Sequence, residues 1–127
     1  MKLLLDTHIF LWYISGDKRL TYEAREQISD STNEVYLSAV SLWEAIIKYQ
    51  IGKLPLPQQP ESYLPEQRER HRISSLPLDE GSAKRLANLP MLHRDPFDRM
   101  LICQVQEHGL TMVTVDPLIQ AYSIATL

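Results

Sequence analysis

Four carboxylates could do chemistry together if the fold gathered them: Asp6, Glu44, Asp98 and Asp116. Asp6 ends the apolar run Leu3-Leu4-Leu5, and Asp116 follows Thr114-Val115 near the carboxyl end. Glu44 lies within an amphipathic segment, and Asp98 follows the strong helix-start signal Asp95-Pro96. Carboxylates crowded within a few ångströms raise one another's pKa, and a bound hard cation relieves the repulsion. Oxygen donors with no His or Cys among them favour Mg²⁺ or Mn²⁺ over zinc. A cation held in this way suits phosphoryl chemistry, because it neutralises phosphate oxygens and acidifies a bound water.

The elements that must position these acids alternate along the chain. Lys2 to Leu5 reads as a buried strand, followed by a short helix from Thr7 to Ile14 that closes at Ser15-Gly16. Thr21 is an N-cap for a helix to Ile28, Glu34 to Leu37 a second strand, and Ser38 the start of a helix to about Ile51. The prolines between Leu54 and Pro60 exclude a regular element, and Glu61 to His71 is polar and helical. Ile73 to Leu76 is a third strand, and Asp79 caps a helix to about Asn88. Asp95 as N-cap and Pro96 at the first helical position open a helix that stops at Gly109. Thr111 to Val115 is the fourth strand and Tyr122 to Ile124 a fifth.

Strands alternating with helices predict an α/β domain with a mostly parallel sheet covered on both faces, a three-layer α/β/α sandwich. In such a sheet the helix N-termini lie at the carboxyl edge of the strands, where ligands bind. Asp6, Asp98 and Asp116 are thereby directed to one rim, and Glu44, about two turns into its helix, leans back toward it.

Composition narrows the classes. The 127 residues fit one domain spanning 1–127, and an apolar content of 44% excludes disorder. The single Cys103 excludes a disulfide scaffold and points to a reducing compartment. A net charge of -3 argues against a protein that coats nucleic acid through bulk positive charge, but not against a nuclease with local basic residues. No run approaches the ~20 apolar residues of a membrane span, and Asp6 interrupts Met1–Leu5 too early for a signal peptide. The chain is therefore read as soluble and cytoplasmic.

Each acid also has an ordinary structural role. Asp95 is read chiefly as an N-cap, Asp98 as a first-turn acid favoured by the helix dipole, and Asp116-Pro117 repeats the capping pattern. Asp6 can cap the helix after it. Glu44 sits just past the edge of the apolar arc Leu42, Ile46, Ala39, Trp43, Ile47, Val40 and Ile51, where an exposed pair with Lys48 would account for it. Their coincidence at one rim favours the functional reading. Phe10, Trp12, Trp43 and Phe97 are expected in the core, and Arg68 to Arg72 on a solvated face. Arg94 and Arg99 flank the proposed cleft and are candidates for phosphate contacts. His8, His71, His93 and His108 present no readable nucleophile–base arrangement, and the isolated glycines form no phosphate-binding loop.

Met1–Trp12 (MKLLLDTHIFLW), Ser41–Lys48 (SLWEAIIK), His93–Ile102 (HRDPFDRMLI) and Thr114–Tyr122 (TVDPLIQAY) together resemble PIN-domain ribonucleases. More narrowly they resemble the VapC-type toxins of bacterial type II toxin–antitoxin pairs, in order and over essentially the whole chain. The resemblance implies a PIN-like sandwich and Mg²⁺- or Mn²⁺-dependent cleavage of RNA. Asp6 matches the family's first acid, Glu44 the second, Asp98 the third and Asp116 the fourth, in a T-x-D pattern with Thr114. The chain departs from many members in having Pro117-Leu118-Ile119 where they place a Phe after the last acid. A homodimer, a cognate antitoxin whose tail covers the cleft, and a bacterial or archaeal source are also implied.

The resulting expectation is a toxin ribonuclease. Asp6 and Asp98 would hold the metal most directly, Asp116 with Thr114 would complete the outer part of the site, and Asp95 would support it. Glu44 would ligate a second ion or orient the attacking water, and cleavage would leave a 5′-phosphate if the metal activates water rather than the 2′-hydroxyl. Two other classes compete. An aspartate-based phosphatase would use Asp6 as nucleophile, although His8 stands where such enzymes need a second Asp. A catalytically silent PIN-like interaction domain would use the acids only as caps.

Overall fold

The computed structural model describes residues 1–127. The chain runs β1 (Lys2–Leu5), α1 (Thr7–Ser15), α2 (Tyr22–Ser29), β2 (Glu34–Ser38), α3 (Ala39–Gln50) and α4 (Pro60–Arg70). It continues through β3 (Ser74–Leu76), α5 (Glu80–Arg85), a 3₁₀ turn over Leu86–Asn88, α6 (Pro96–His108), β4 (Thr111–Val113) and α7 (Pro117–Gln120). All pairings are parallel and the strand order is β3-β2-β1-β4. Leu3 aligns with Val35 on one side and Thr111 on the other, which makes β1 a central strand.

That position explains the composition of β1. Successive side chains of a strand point to opposite faces, and Leu3, Leu4 and Leu5 are all fully buried. Leu3 and Leu5 join Ile9, Phe10, Val35, Leu37, Leu64 and Ile73 in one core. Leu4 joins Val40, Leu101, Ile102, Met112 and Ile119 in the other. One face is thus covered by α1, α2 and α4 and the other by α6 and α7, while α3 contributes to both through Ala45 and Val40. The architecture is the expected three-layer α/β/α sandwich around a parallel sheet.

Local signals set the element ends. Gly16 and Gly109 take left-handed conformations as the C-caps of α1 and α6, with φ of 67° and 63°, which a side chain would oppose. Thr21 accepts the amide of Ala24 to start α2, and Ser38 accepts that of Val40 to start α3.

Three expectations are corrected. The fourth strand ends at Val113, because Thr114 turns its hydroxyl to Asp6 and Asp116 already caps α7. Tyr122 to Ile124 is not a strand. The last residues instead cover the free edge of β4, where Leu127 N–H donates to Met112 O at 2.8 Å and Met112 N–H to Ala125 O at 2.9 Å. Trp43 is 56% exposed rather than core and packs edge-on against Phe97 with ring centroids 5.0 Å apart. The cause is the rotation of α3, which buries Ser41, Glu44 and Ala45 and turns Trp43 outward.

Candidate active site

Asp6, Glu44, Asp95, Asp98 and Asp116 line one cavity of about 320 Å³, with Lys48 and Arg19 as its cations. The cavity opens at the carboxyl edge of the sheet, where β1 ends at Leu5 and β4 at Val113. All four acids singled out for catalysis, and Asp95, are therefore brought together from points more than a hundred residues apart in the chain.

Asp6 stands at the N-cap position of α1 but makes no side-chain capping bond. Its backbone N–H is held by Val113 O at 3.0 Å, and its Oδ2 accepts the Thr114 hydroxyl at 2.8 Å. Thr114 Oγ1 in turn accepts the Asp116 amide at 3.1 Å, tying the last acid to the first. Burial pushes the Asp6 carboxyl up, the Thr114 hydroxyl pulls it back, and the Glu44 charge raises it further.

Glu44 is only 2% exposed, so the solvated pair anticipated for it is instead an interior one. Its Oε1 accepts the Thr7 hydroxyl at 2.8 Å, and its Oε2 pairs with Lys48 one turn along α3. Thr7 Oγ1 also lies 2.8 Å from Ser41 Oγ. A buried carboxylate survives only with such partners, which explains why α3 turns a polar stripe inward. Lys48 feels burial, which would lower its pKa, but the Glu44 carboxylate outweighs it and Asp95 and Asp98 add to the upward shift.

Asp95 and Asp116 both do the capping work read from the sequence. Asp95 Oδ1 accepts the amides of Phe97 and Asp98 at 2.8 and 3.1 Å, and Asp116 Oδ1 accepts that of Leu118 at 2.9 Å. Capping leaves the second oxygen of Asp116 free, and it faces His93. Asp98 caps nothing. Burial, followed by the charges of Asp6, Asp95 and Glu44, raises its carboxyl to about 7 against a partial opposing effect of His93. A carboxyl so displaced is the electrostatic mark of a site short of positive charge.

His93 is the residue sequence reasoning missed. Its Nε2 lies 3.1 Å from Asp98 Oδ2 and 3.0 Å from Asp116 Oδ2. Its Nδ1 is 3.1 Å from the Asp95 backbone N–H, an obligate donor, so Nδ1 accepts and the ring proton sits on Nε2, where it bonds Asp116 Oδ2 with Asp98 Oδ2 alongside. The ligand-capable atoms of His93, Asp98 and Asp116 lie within 4.8 Å of one another. With Nδ1 engaged as acceptor, however, the imidazole serves the acids as a donor rather than a metal as a ligand. The available signal was position: His93 stands two residues before the N-cap of the helix that carries Asp98.

The arginine expectations divide. Arg99 does not reach the cleft as a phosphate contact. It is buried, and its guanidinium donates to Leu89 O, Pro90 O and His93 O and lies 3.3 Å from the Tyr122 hydroxyl. Arg94 is exposed beside the site but does not line the cavity. Arg19 does. It is held by Asp17 at 2.7 Å with its guanidinium over the Trp12 ring, 4.9 Å from the centroid.

The donor set fits a hard cation: carboxylate oxygens crowded enough to displace Asp98, with Lys48, Arg19 and His8 as the basic side chains of the lining. An α/β sandwich with a cleft at the strand ends places these acids where open parallel sheets bind their ligands. Residues 3–124 match the model of the PIN domain, and the chain belongs to the PIN domain family.

Among relatives, Ribonuclease VapC16 of Mycobacterium tuberculosis is 42% identical over 59 residues, 46% of this chain and 42% of that protein's length. The chain thus matches less than half the length of this curated relative. A chain of the crystal structure of VapBC2 from Rickettsia felis, bound to a DNA fragment from its promoter, superposes with a TM-score of 0.75. It is 17% identical, and the match covers 100% of this chain and 98% of that one. DNA-bound VapBC from Salmonella typhimurium gives a TM-score of 0.67 at 20% identity, covering 100% and 97%. At these identities the two structures speak for the fold.

Proposed function

We propose that the chain is a Mg²⁺- or Mn²⁺-dependent ribonuclease that hydrolyses RNA phosphodiesters and acts as the toxin of a type II toxin–antitoxin pair. The observation that carries the reading is the meeting of Asp6, Glu44, Asp98 and Asp116 in one cavity at the strand ends. PIN membership, a relative named as a ribonuclease and neighbours solved as VapBC complexes support it.

In this reading Asp6 and Asp98 hold the metal. Asp116 and Thr114 complete the outer side, and Glu44 positions the attacking water. When bound, the cation would supply charge neutralisation at the phosphate and a more acidic water. Thr114 keeps the Asp6 carboxylate pointed into the cavity through its 2.8 Å bond, and Thr7 does the same for Glu44. Asp95 fixes the first turn of α6 and so the direction of Asp98. Lys48 and Arg19, which line the cavity, bind the RNA backbone, and Arg94 extends that binding outside it. Unpaired or looped bases would set sequence choice. A homodimer, a cognate antitoxin over the cleft and a cytoplasmic location complete the proposal; no helix is long and apolar enough to cross a membrane.

The test is cleavage of structured RNA by the purified protein, with Mg²⁺ or Mn²⁺ and then with chelator. Cleavage that needs the metal and is lost in both Asp6→Asn and Asp98→Asn is expected. Cleavage at the wild-type rate in both variants places the activity elsewhere.

A further inference from the structure

The loop before α6 has no regular backbone pairing, yet it delivers His93 between two acids. Residues 89–95 contain no helix or strand, so the imidazole cannot owe its place to a ladder. Two buried side chains from elsewhere grip the loop instead. The Tyr122 hydroxyl accepts the backbone N–H groups of Leu92 and His93 at 3.1 and 2.9 Å and donates to Pro90 O at 2.7 Å. Arg99 holds the other side, donating to His93 O at 3.3 Å, Pro90 O at 2.9 Å and Leu89 O at 3.3 Å. The backbone of His93 is therefore fixed at its N–H by one residue and at its carbonyl by the other. The two clamps touch, since Arg99 Nη1 lies 3.3 Å from the Tyr122 hydroxyl.

The energetic penalty of this arrangement argues that it does more than close a loop. Arg99 is a buried cation with no carboxylate within ion-pair distance, satisfied by carbonyls and a phenol alone. Desolvating a guanidinium is unfavourable, and apolar packing would seat a surface loop without that penalty. Hydrogen bonds with fixed directions do what packing cannot: they fix a dihedral, and with it the direction of the imidazole.

We propose that Tyr122 and Arg99 are positioning residues of the metal site, holding His93 so that its Nε2 stays against Asp116 Oδ2 and Asp98 Oδ2 and sets the direction in which these carboxylates face the cation. The inference rests on the reading of these acids as the metal site. It assigns His93 to the shell behind the ligands, where a donor fixes carboxylate orientation and its loss costs roughly 10- to 100-fold in metal affinity or activity.

The experiment measures Mn²⁺ binding to the full-length protein by calorimetry, without RNA, alongside ¹⁵N spectra of the histidine rings. His93→Ala is expected to weaken Mn²⁺ binding by ~10-fold or more, and His93→Gln, which keeps an N–H donor, to recover part of the loss. Tyr122→Phe removes one oxygen and leaves the ring, so Mn²⁺ binding should fall several-fold with kcat, and the KM for RNA should change less than about twofold. Added to His93→Ala, Tyr122→Phe should have no further effect on Mn²⁺, because it acts through that imidazole. The wild-type spectrum should show His93 with its proton on Nε2.

Wild-type Mn²⁺ affinity in folded Tyr122→Phe, or fully additive losses in the double variant, would overturn the proposal. If Tyr122→Phe fails to fold, the wild-type spectrum decides, and a proton on Nδ1 overturns it equally. Because binding is read without substrate, a protein that cuts no RNA but shows the expected Mn²⁺ losses refutes the ribonuclease reading and leaves this one standing.

Discussion

The two sides of the acidic cleft are built by different means. On one side Asp6 and Glu44 stand on the central strand's end and on α3, and each meets a single hydroxyl, Thr114 or Thr7, at 2.8 Å. On the other side Asp98 lies in the first turn of α6 and Asp116 caps α7, and His93, delivered by an irregular loop, joins them. The first side takes its geometry from sheet register and burial. The second takes it from side chains at Arg99 and Tyr122 that reach back across the fold. Sheet-built geometry is insensitive to single hydrogen bonds, whereas loop-built geometry depends on them. Substitution of the supporting hydroxyl Thr7 on the first side should therefore show mainly in stability, and substitution of Tyr122, Arg99 or His93 on the second mainly in metal binding.

The largest effect tests whether both sides belong to one site. Asp6→Asn and Asp98→Asn should each lower kcat for RNA cleavage by ~100-fold or more, the scale for losing one preorganised charged group. A loss confined to one variant would separate the two sides.

A second prediction concerns pH. Asp98 titrates at about 7 when folded but near 3.8 when unfolded. Between these values the folded state binds more protons, so this group's contribution to stability falls as pH rises and is fully lost above about pH 7. In chelator, the melting temperature should rise as pH is lowered from about 8 to about 5. That slope should flatten in Asp98→Asn, and adding Mg²⁺ at pH 8 should recover stability. An unchanged slope in the variant would mean that the crowding of charge lies elsewhere.

Third, Thr7→Val should lower stability by about 1–3 kcal/mol, because it leaves the buried Glu44 carboxylate short of a donor. Chemical denaturation measures it, and Mn²⁺ affinity should move less than in Tyr122→Phe. The reverse order would contradict the division between the two sides.

The smallest effects concern the rim. Arg19→Ala should weaken RNA binding a few-fold and make the dependence of log affinity on log salt shallower by ~0.7 for each phosphate it no longer neutralises. Arg94→Ala, outside the cavity, should do less. Binding of a non-cleaved RNA over a salt series distinguishes them.

The same division governs what the sequence reveals. A strand of three leucines ending in Asp, a helix opened by Asp-Pro and an acid two residues after a Thr are local patterns, so the parallel sheet and its acidic rim are legible. Glu44 is legible as an acid at the border of an apolar arc, but its full burial depends on Thr7, which lies 37 residues away in sequence. His93 and Tyr122 are not legible as a pair, because 29 residues and three elements separate them and no periodicity joins them. Arg99 escapes for the same reason: a basic residue next to an acid reads as a surface group until carbonyls of the preceding loop are found around it. Trp43 departs from expectation because binary patterning assigns an aromatic to the core, whereas here Glu44 occupies the buried face of α3.

Crystals soaked in Mn²⁺ and measured by anomalous scattering give the most direct test of convergence around a cation. The expected map has a peak coordinated by Asp6 and Asp98, with Asp116 and Glu44 around it and His93 behind the ligands. A saturating soak with no peak there, or with Mn²⁺ only at acids outside the cleft such as Asp79, would contradict the account.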